Sequence, residues 1–405
     1  MIVLSIFILT YIGVAFGGVP ALTLDRTGIA LLGAIAMLLF GSLTLNQAVA
    51  AIDFPTILLL YGLMIISAQL RLGGFYTFVA KGITFFMKQP GIFLGILMAT
   101  SALFSAVLAN DIVCLAFTPV LCVSLLRAGL NPVPFLIGLA VSSNIGSAAT
   151  IIGNPQNMLI GQIGHLDFGA FIWWCLPPSL ISLAVGYGII LLMYRDRLTN
   201  PLINRNDTAS GHWPDLNKWQ STKGLTAVII LIILFFTPVK REISAIGIAG
   251  ILLLSRKMKS REIMHMIDWH LITLFCALFI IIQGISIAQI PDSIMAFMEN
   301  KGVDPGNPYI LTVISTILSN LVSNVPASML LLRFLDQGNL LQYYTLAASS
   351  TFAGNLITIG SIANLIVIEQ AGNYGIHIGF REHAKTGIPV TLLTIAVLIF
   401  WIFMN

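Results

Sequence analysis

The sequence predicts an all-α polytopic membrane protein organised as two inverted repeats of about five transmembrane helices, each with a re-entrant hairpin and a broken helix. Three observations carry that prediction. Of 405 residues, 57% are apolar and 9% are charged, against about 25% charged in a soluble chain, and apolar runs long enough to cross a bilayer recur from end to end. Lys and Arg collect in the short segments on one side of the expected spans. Polar interruptions also fall at membrane depth, at matching positions in the two halves.

The first repeat is expected over 1–194. Its scaffold, 1–89, has spans near 2–19, 28–43 and 53–70, followed by an amphipathic stretch at 71–89. A hairpin and a broken helix fill 90–163, and 171–194 is the closing span. Residues 1–18 lack a basic lead and a convincing cleavage site, so they read as the first span rather than as a removed signal peptide. A polar linker at 195–222 carries Arg195, Asp196, Arg197, Arg205, Asp207, Asp215 and Lys218. The second repeat, 223–405, has scaffold spans near 223–239, 243–255 and 268–290 within 223–307. Its hairpin and broken helix lie at 308–368 and its closing span at 386–404.

Setting the linker in the cytoplasm tests every other loop, because Lys and Arg resist translocation. Sixteen of the 20 then lie inside, and only Lys240, Arg241, Lys301 and Arg333 lie outside. Both termini are then outside an inner (plasma) membrane. The first half enters the bilayer from outside and the second from inside, which makes them inverted. Weak internal symmetry agrees. Ser105 and Asn110 fall on Ser319 and Asn324, at an offset of 214. Ser142, Ser143, Gly153 and Asn157 fall on Ser349, Ser350, Gly360 and Asn364, at an offset of 207.

Residues 308–333 are too short to cross twice, and with Ser319, Asn320, Ser323, Asn324 and Pro326 at their middle they are too polar to cross once with ease. A re-entrant hairpin is expected. Its counterpart, 90–127, is longer and leaves two true spans open, though parity favours a hairpin there too. The segments 135–163 and 340–368 are apolar runs broken by Gly153, Asn154 and Pro155, and by Gly354, Asn355 and Gly360. Irregular backbone at membrane depth must line a cavity or contact protein. Matching breaks in two inverted halves are the sequence pointer to a transporter's midplane site.

The polar groups at these breaks form two sets: Asn110, Asp111, Ser142, Ser143, Asn144, Ser147, Thr150, Asn154, Gln156 and Asn157, then Ser319, Asn320, Ser323, Asn324, Ser349, Ser350, Thr351, Asn355, Thr358, Ser361 and Asn364. Such amides, hydroxyls and half-helix ends suit a small polar solute or oxyanion, and their carbonyls a cation. The same residue types also serve close helix packing. Asp111 alone among the carboxylates sits in the middle of a long apolar stretch. A buried carboxylate resists ionisation, so it can trade a proton or bind a cation. Cys114, Cys122, Cys175 and Cys276 have no metal-type spacing and read as small core residues. The six histidines fall near loops or span ends and read as bystanders. Neither a Walker loop nor a metalloprotease motif occurs, so an ATP-driven pump and an intramembrane enzyme are poorly supported, and no cofactor or metal is expected. The basic residues read as topology, which argues against nucleic acid.

The stretches SAVLANDIVCLAFTPV at 105–120 and SSNIGSAATIIGNPQN at 142–157 resemble the paired signature of the arsenite efflux permease branch of the ion transporter superfamily. That superfamily also includes sodium-proton antiporters, the pigmentation P protein and divalent anion:sodium symporters. The resemblance implies a mobile hairpin unit beside a static scaffold, often dimeric, working by alternating access. It implies solute binding by Asn110, Asp111, Ser143, Asn144, Asn154, Asn157, Ser323, Asn324, Thr351 and Asn355. The dicarboxylate symporters carry Ser-Asn-Thr at both tips, whereas this chain has Ala109-Asn110-Asp111 and Ser323-Asn324-Val325. The added carboxylate would repel a dianion at close range.

The function expected from the resemblance is export of arsenite or antimonite by proton antiport, with Asp111 as the proton carrier, since uncharged arsenous acid needs hydrogen-bonding walls rather than a cationic pocket. One proton exchanged for a neutral solute draws on the membrane potential, worth about 2.3 kcal/mol per charge per 100 mV. The alternatives are a sodium-proton antiporter, an inorganic or carboxylate anion transporter of the same superfamily, and a passive channel, which could not move solute uphill. The partners expected are the solute, a coupling proton or sodium ion and the lipid bilayer; a homodimer and an ATPase partner stay open.

Overall fold

The computed structural model describes residues 2–18, 22–41, 43–199, 215–255 and 257–405. Arg205, Asp207 and Arg256, which enter the charge pattern above, lie outside the described residues.

The first half runs α1 (Ile2–Phe16), α2 (Arg26–Phe40), α3 (Leu45–Ala51), α4 (Phe54–Leu72), α5 (Phe75–Ile83), α6 (Pro90–Val107), α7 (Asn110–Ala128), α8 (Val133–Ser147), α9 (Pro155–Ile163), α10 (Phe168–Met193) and α11 (Arg195–Thr199). The second half runs α12 (Lys218–Phe235), α13 (Arg241–Leu253), α14 (Ser260–Met264), α15 (Trp269–Ile287), α16 (Ile290–Asn300), α17 (Pro308–Val322), α18 (Asn324–Leu331), α19 (Leu340–Ala353), α20 (Ile362–Gly372) and α21 (Phe380–Met404). From α2 to α5 each helix starts 215 residues before its partner among α13 to α16. Asp53 and Asp268 cap α4 and α15 identically, accepting from the amides of Thr56 (2.8 Å) and Leu271 (2.9 Å).

The scaffold is interwoven: α4 packs on α13 and α2 on α15, so a span of each half lies against a span of the other. Lipid supplies no hydrophobic drive between helices, so close approach of small residues has to do the work. Gly62 allows it on α4, where an added Cβ would lie 2.8 Å from the Ala245 backbone of α13. The ends flanking the linker share one face. There Gln69 donates to Gln220 Oε1 (2.7 Å) and Ser221 to Gly73 O (2.8 Å). On the opposite face Arg241 donates to Gly161 O and Leu166 O, each at 2.8 Å.

Both hairpins are re-entrant. The arms of the first are 18 and 19 residues, each long enough to cross a bilayer, which is why length alone left two spans open. The turn between them, however, packs on the first helix break, with the Asn110 amide donating to Gly153 O (3.2 Å). The second hairpin turns at Ser323, whose φ of 75° lies in the left-handed region. α8 and α19 run alongside α6 and α17, and small hydroxyls seal both seams: Ser101 pairs with Ser142, and Ser315 with Ser349 at 2.5 Å. These pairs reproduce the offsets of 214 and 207 read from the sequence. Several helices start earlier than hydropathy suggests: α12 at Lys218 rather than 223, and α21 at Phe380 rather than 386. α3 and α14 were not anticipated.

α21 crosses directly behind the second break, and Gly387 lets it do so. An added Cβ there would lie 2.2 Å from Asn355 O and 2.5 Å from Leu356 O. Backbone atoms cannot rotate out of the way, so Gly387→Ala is expected to sit near the upper end of the usual overpacking cost, about 3 kcal/mol. A lowered melting temperature in detergent would show it.

Candidate functional site

Each break unwinds a few residues and restarts a helix, and the new helix needs a cap. Asn154 caps α9, its side chain accepting from the Asn157 amide (2.8 Å), and Ser361 caps α20, accepting from Ala363 (3.2 Å). The carbonyls freed by unwinding are taken up in matching fashion. Asn157 Nδ2 donates to Ser147 O (3.2 Å) and Thr150 O (3.0 Å). Its image Asn364 donates to Gly354 O (2.7 Å) and Ile357 O (3.2 Å).

Asn144 ties the two breaks together. Its Nδ2 donates to Asn355 Oδ1 (3.0 Å) and Asn364 Oδ1 (3.1 Å), and its Oδ1 accepts from Ser361 (2.8 Å) and Asn110 (3.4 Å). Thr351, the image of Asn144, accepts from Asn154 (3.2 Å) and Gln156 (3.3 Å). Ser143 holds the first tip by donating to Asn110 O (3.2 Å). Asn324, with its amide turned so that donors meet acceptors, donates to Ser350 O and Gly360 O, both at 3.1 Å.

Between the tips and breaks lies a cleft of about 20 Å³, lined by Asn110, Asp111, Pro155, Gln156, Ser323, Asn324, Val325, Ser361 and Ile362. These are the first residues of α7, α9, α18 and α20, so four helix N-termini converge on one point. Each brings the positive end of a helix dipole, with the amides of Asn110, Asn157 and Ala363 already bonded to Gly153 O, Asn154 Oδ1 and Ser361 Oγ. Asp111 is the one charged side chain of this lining. The cleft is large enough for a water-sized group, and Asn110 Oδ1 has no partner among the described residues. Asp111 and Pro155 also line a cavity of about 110 Å³, walled by Leu60, Met64, Met158, Met266 and Leu271 and bearing Arg71 and Asp268 on the linker face.

Of the residues singled out in the sequence, Asn110, Asp111, Ser323 and Asn324 line the cleft. Ser143, Asn144, Asn154, Asn157, Thr351 and Asn355 stand behind it as a buried hydrogen-bonded layer. Ser361 and Gln156 line it as well. Sequence reasoning missed two features. Asp268 was not singled out, Arg71 entered only as a basic residue of a loop on the linker side, and helix starts alone do not show that the two share a cavity. His383, grouped with the bystander histidines, is 1% exposed, with Nε2 3.2 Å from Asn355 O. Cys114, Cys122 and Cys175 are buried and all four cysteines are free.

This architecture is that of a membrane transporter. A match to the citrate transporter family (CitMHS) covers residues 6–337, and the chain belongs to that family, within the ion transporter superfamily indicated by 105–120 and 142–157. It is similar to the silicon efflux transporter LSI3 of Oryza sativa subsp. japonica, at 26% identity over 94% of this chain and 93% of that one. It is also similar to the putative transporter arsB of Dictyostelium discoideum, at 24% over 93% and 87%, and to a 46 kDa membrane protein of Mycobacterium leprae, at 27% over 98% and 96%. The crystal structure of the YdaH transporter of Alcanivorax borkumensis, described as having an unusual topology, superposes with a TM-score of 0.57 over 100% of this chain and 95% of its own. At 13% identity the likeness is one of fold.

Proposed function

We propose that the chain exports arsenite or antimonite, as the uncharged trihydroxy acid, in exchange for a proton carried by Asp111. The hairpin unit moves between access states while the interwoven scaffold stays in place. The convergence of four helix N-termini on one carboxylate carries this reading. The amides offer donors to hydroxyl oxygens, and ionised Asp111 balances the four dipoles, so a neutral solute needs no further charge. Protonation of Asp111 removes that balance, which gives solute and proton a reason to alternate. The relative named as a silicon efflux transporter supports efflux. On this reading the linker face, which holds Arg71, Lys81, Lys88, Arg127 and Lys218, is cytoplasmic.

Proteoliposomes under an imposed pH gradient test it, with trivalent arsenic, trivalent antimony, silicic acid, citrate and sodium offered in turn. Uphill movement of the trivalent metalloids is expected. A second reading, anion transport, draws on the same four N-termini, which suit an oxyanion when Asp111 is neutral, and on the family's citrate description. Uphill movement of citrate but not arsenite would replace the first reading with the second.

A further inference from the structure

We propose that His383 is a positioning residue of the solute site: its neutral ring holds the Asn355 carbonyl at the second break through an Nε2–H donor. The role of the break in solute handling rests on the transport reading above; the ring's grip on the break does not.

His383 lies in the first turns of α21, with Nε2 3.2 Å from Asn355 O and 3.5 Å from Asn364 Nδ2. The two contacts ask for opposite tautomers. Asn364 has already committed Nδ2 to Gly354 O and Ile357 O, so Nε2 of His383 carries the proton and donates to Asn355 O. The bond pins the unwound carbonyl to the start of α21. Asn355 passes the effect on, since its Oδ1 accepts from Asn144 and its Nδ2 has no partner among the described residues. The fold does not require an imidazole at this place. Counting from the helix caps Asp167 and Gly379, the first half has the buried Phe171 where the second has His383, and counting along the broken segments it has the buried Ala148 where the second has Asn355.

The elements packed on α21 are α8, α10, α17, α19 and the turn Thr358–Gly360. At the His383 end they bring Tyr194, whose hydroxyl meets Glu382 Oε1 (3.1 Å) and Thr386 Oγ1 (3.0 Å). Arg197 pairs with Glu382 at 2.5 Å, and Arg381 and Lys385 follow on α21 itself. Of the other titratable groups on these elements, Tyr309, Tyr343 and Tyr344 lie toward the opposite face, Cys175 sits midway along α10, and Tyr187 bonds Gly91 O.

Hydrogen exchange of peptides spanning 353–364 reads the break directly and without solute. His383→Phe, the residue of the first half, removes the donor and should exchange about fivefold faster than wild type, while His383→Gln, which keeps an N–H donor, should exchange as wild type does. In transport, His383→Phe should raise KM with little change in kcat, and His383→Gln should restore it. Exchange of the Phe variant equal to wild type, or a Gln variant as loose as the Phe variant, overturns the proposal even if arsenite is carried. A break loosened by Phe in a protein that moves no arsenite would sink only the substrate reading. If the Phe variant does not fold, His383→Leu, smaller and without a donor, takes its place.

Discussion

Asp111→Asn is expected to abolish proton-driven export, lowering the initial uphill rate by at least about 100-fold, while the protein stays folded. Asparagine keeps the size and the hydrogen-bonding capacity of the side chain but cannot carry a proton. Asp111 stands in the first turn of α7 with the starts of α9, α18 and α20 around the same cleft. Losing one negative charge beside helix N-termini costs about 0.3–2 kcal/mol, too little to unfold a chain tied together elsewhere. Downhill exchange of solute should persist at lower affinity, since the amides that would bind it remain while neutral asparagine, like protonated Asp111, no longer balances the helix dipoles. Loss of all transport together with a collapsed melting curve would instead give Asp111 a structural role.

Asn144→Ala should act on stability as well as on transport. It removes the donor to both Asn355 Oδ1 and Asn364 Oδ1 and the acceptor for Ser361. Each buried group left unpaired costs about 1–3 kcal/mol, so the two orphaned acceptors together cost roughly 2–6 kcal/mol. The breaks would no longer be held against each other, and the cleft lined by their first residues would lose its shape. A clear drop in detergent melting temperature with transport near background is the expected result. A variant with wild-type stability and only a raised KM would mean that Asn144 contacts solute rather than supporting the breaks.

Much of the fold is legible because membrane spans and their interruptions are local in sequence. Hydropathy finds the spans, and the polar runs around Asn110 and Asn324 find the tips. The paired serines confirm an alignment that rested on a handful of letters. Helix starts at Lys218 and Phe380 were missed because charged residues at span ends look like loop while their side chains reach toward water. Asp53 reads as lying near a span end for a similar reason, since it and its counterpart Asp268 are helix caps.

The site was legible in composition but not in layout. The sequence marks Asn144 and Thr351 as polar groups near breaks. It does not show that Asn144 bridges to Asn355 and Asn364, contacts across more than 200 residues. His383 is harder still, because its burial comes from α21 crossing behind the unwound segment at Gly387. Only the first half's Phe171 hints that the position is an interior one.

The central claim is that solute and proton exchange at Asp111. A pH-sensitive dye trapped in proteoliposomes tests it most directly: arsenite is added outside with no pH gradient imposed. Inward arsenite movement should drive protons out, so the wild-type interior turns alkaline while that of Asp111→Asn does not. Arsenite entry with no change of internal pH in wild type, or the same alkalinisation in the variant, would contradict the account.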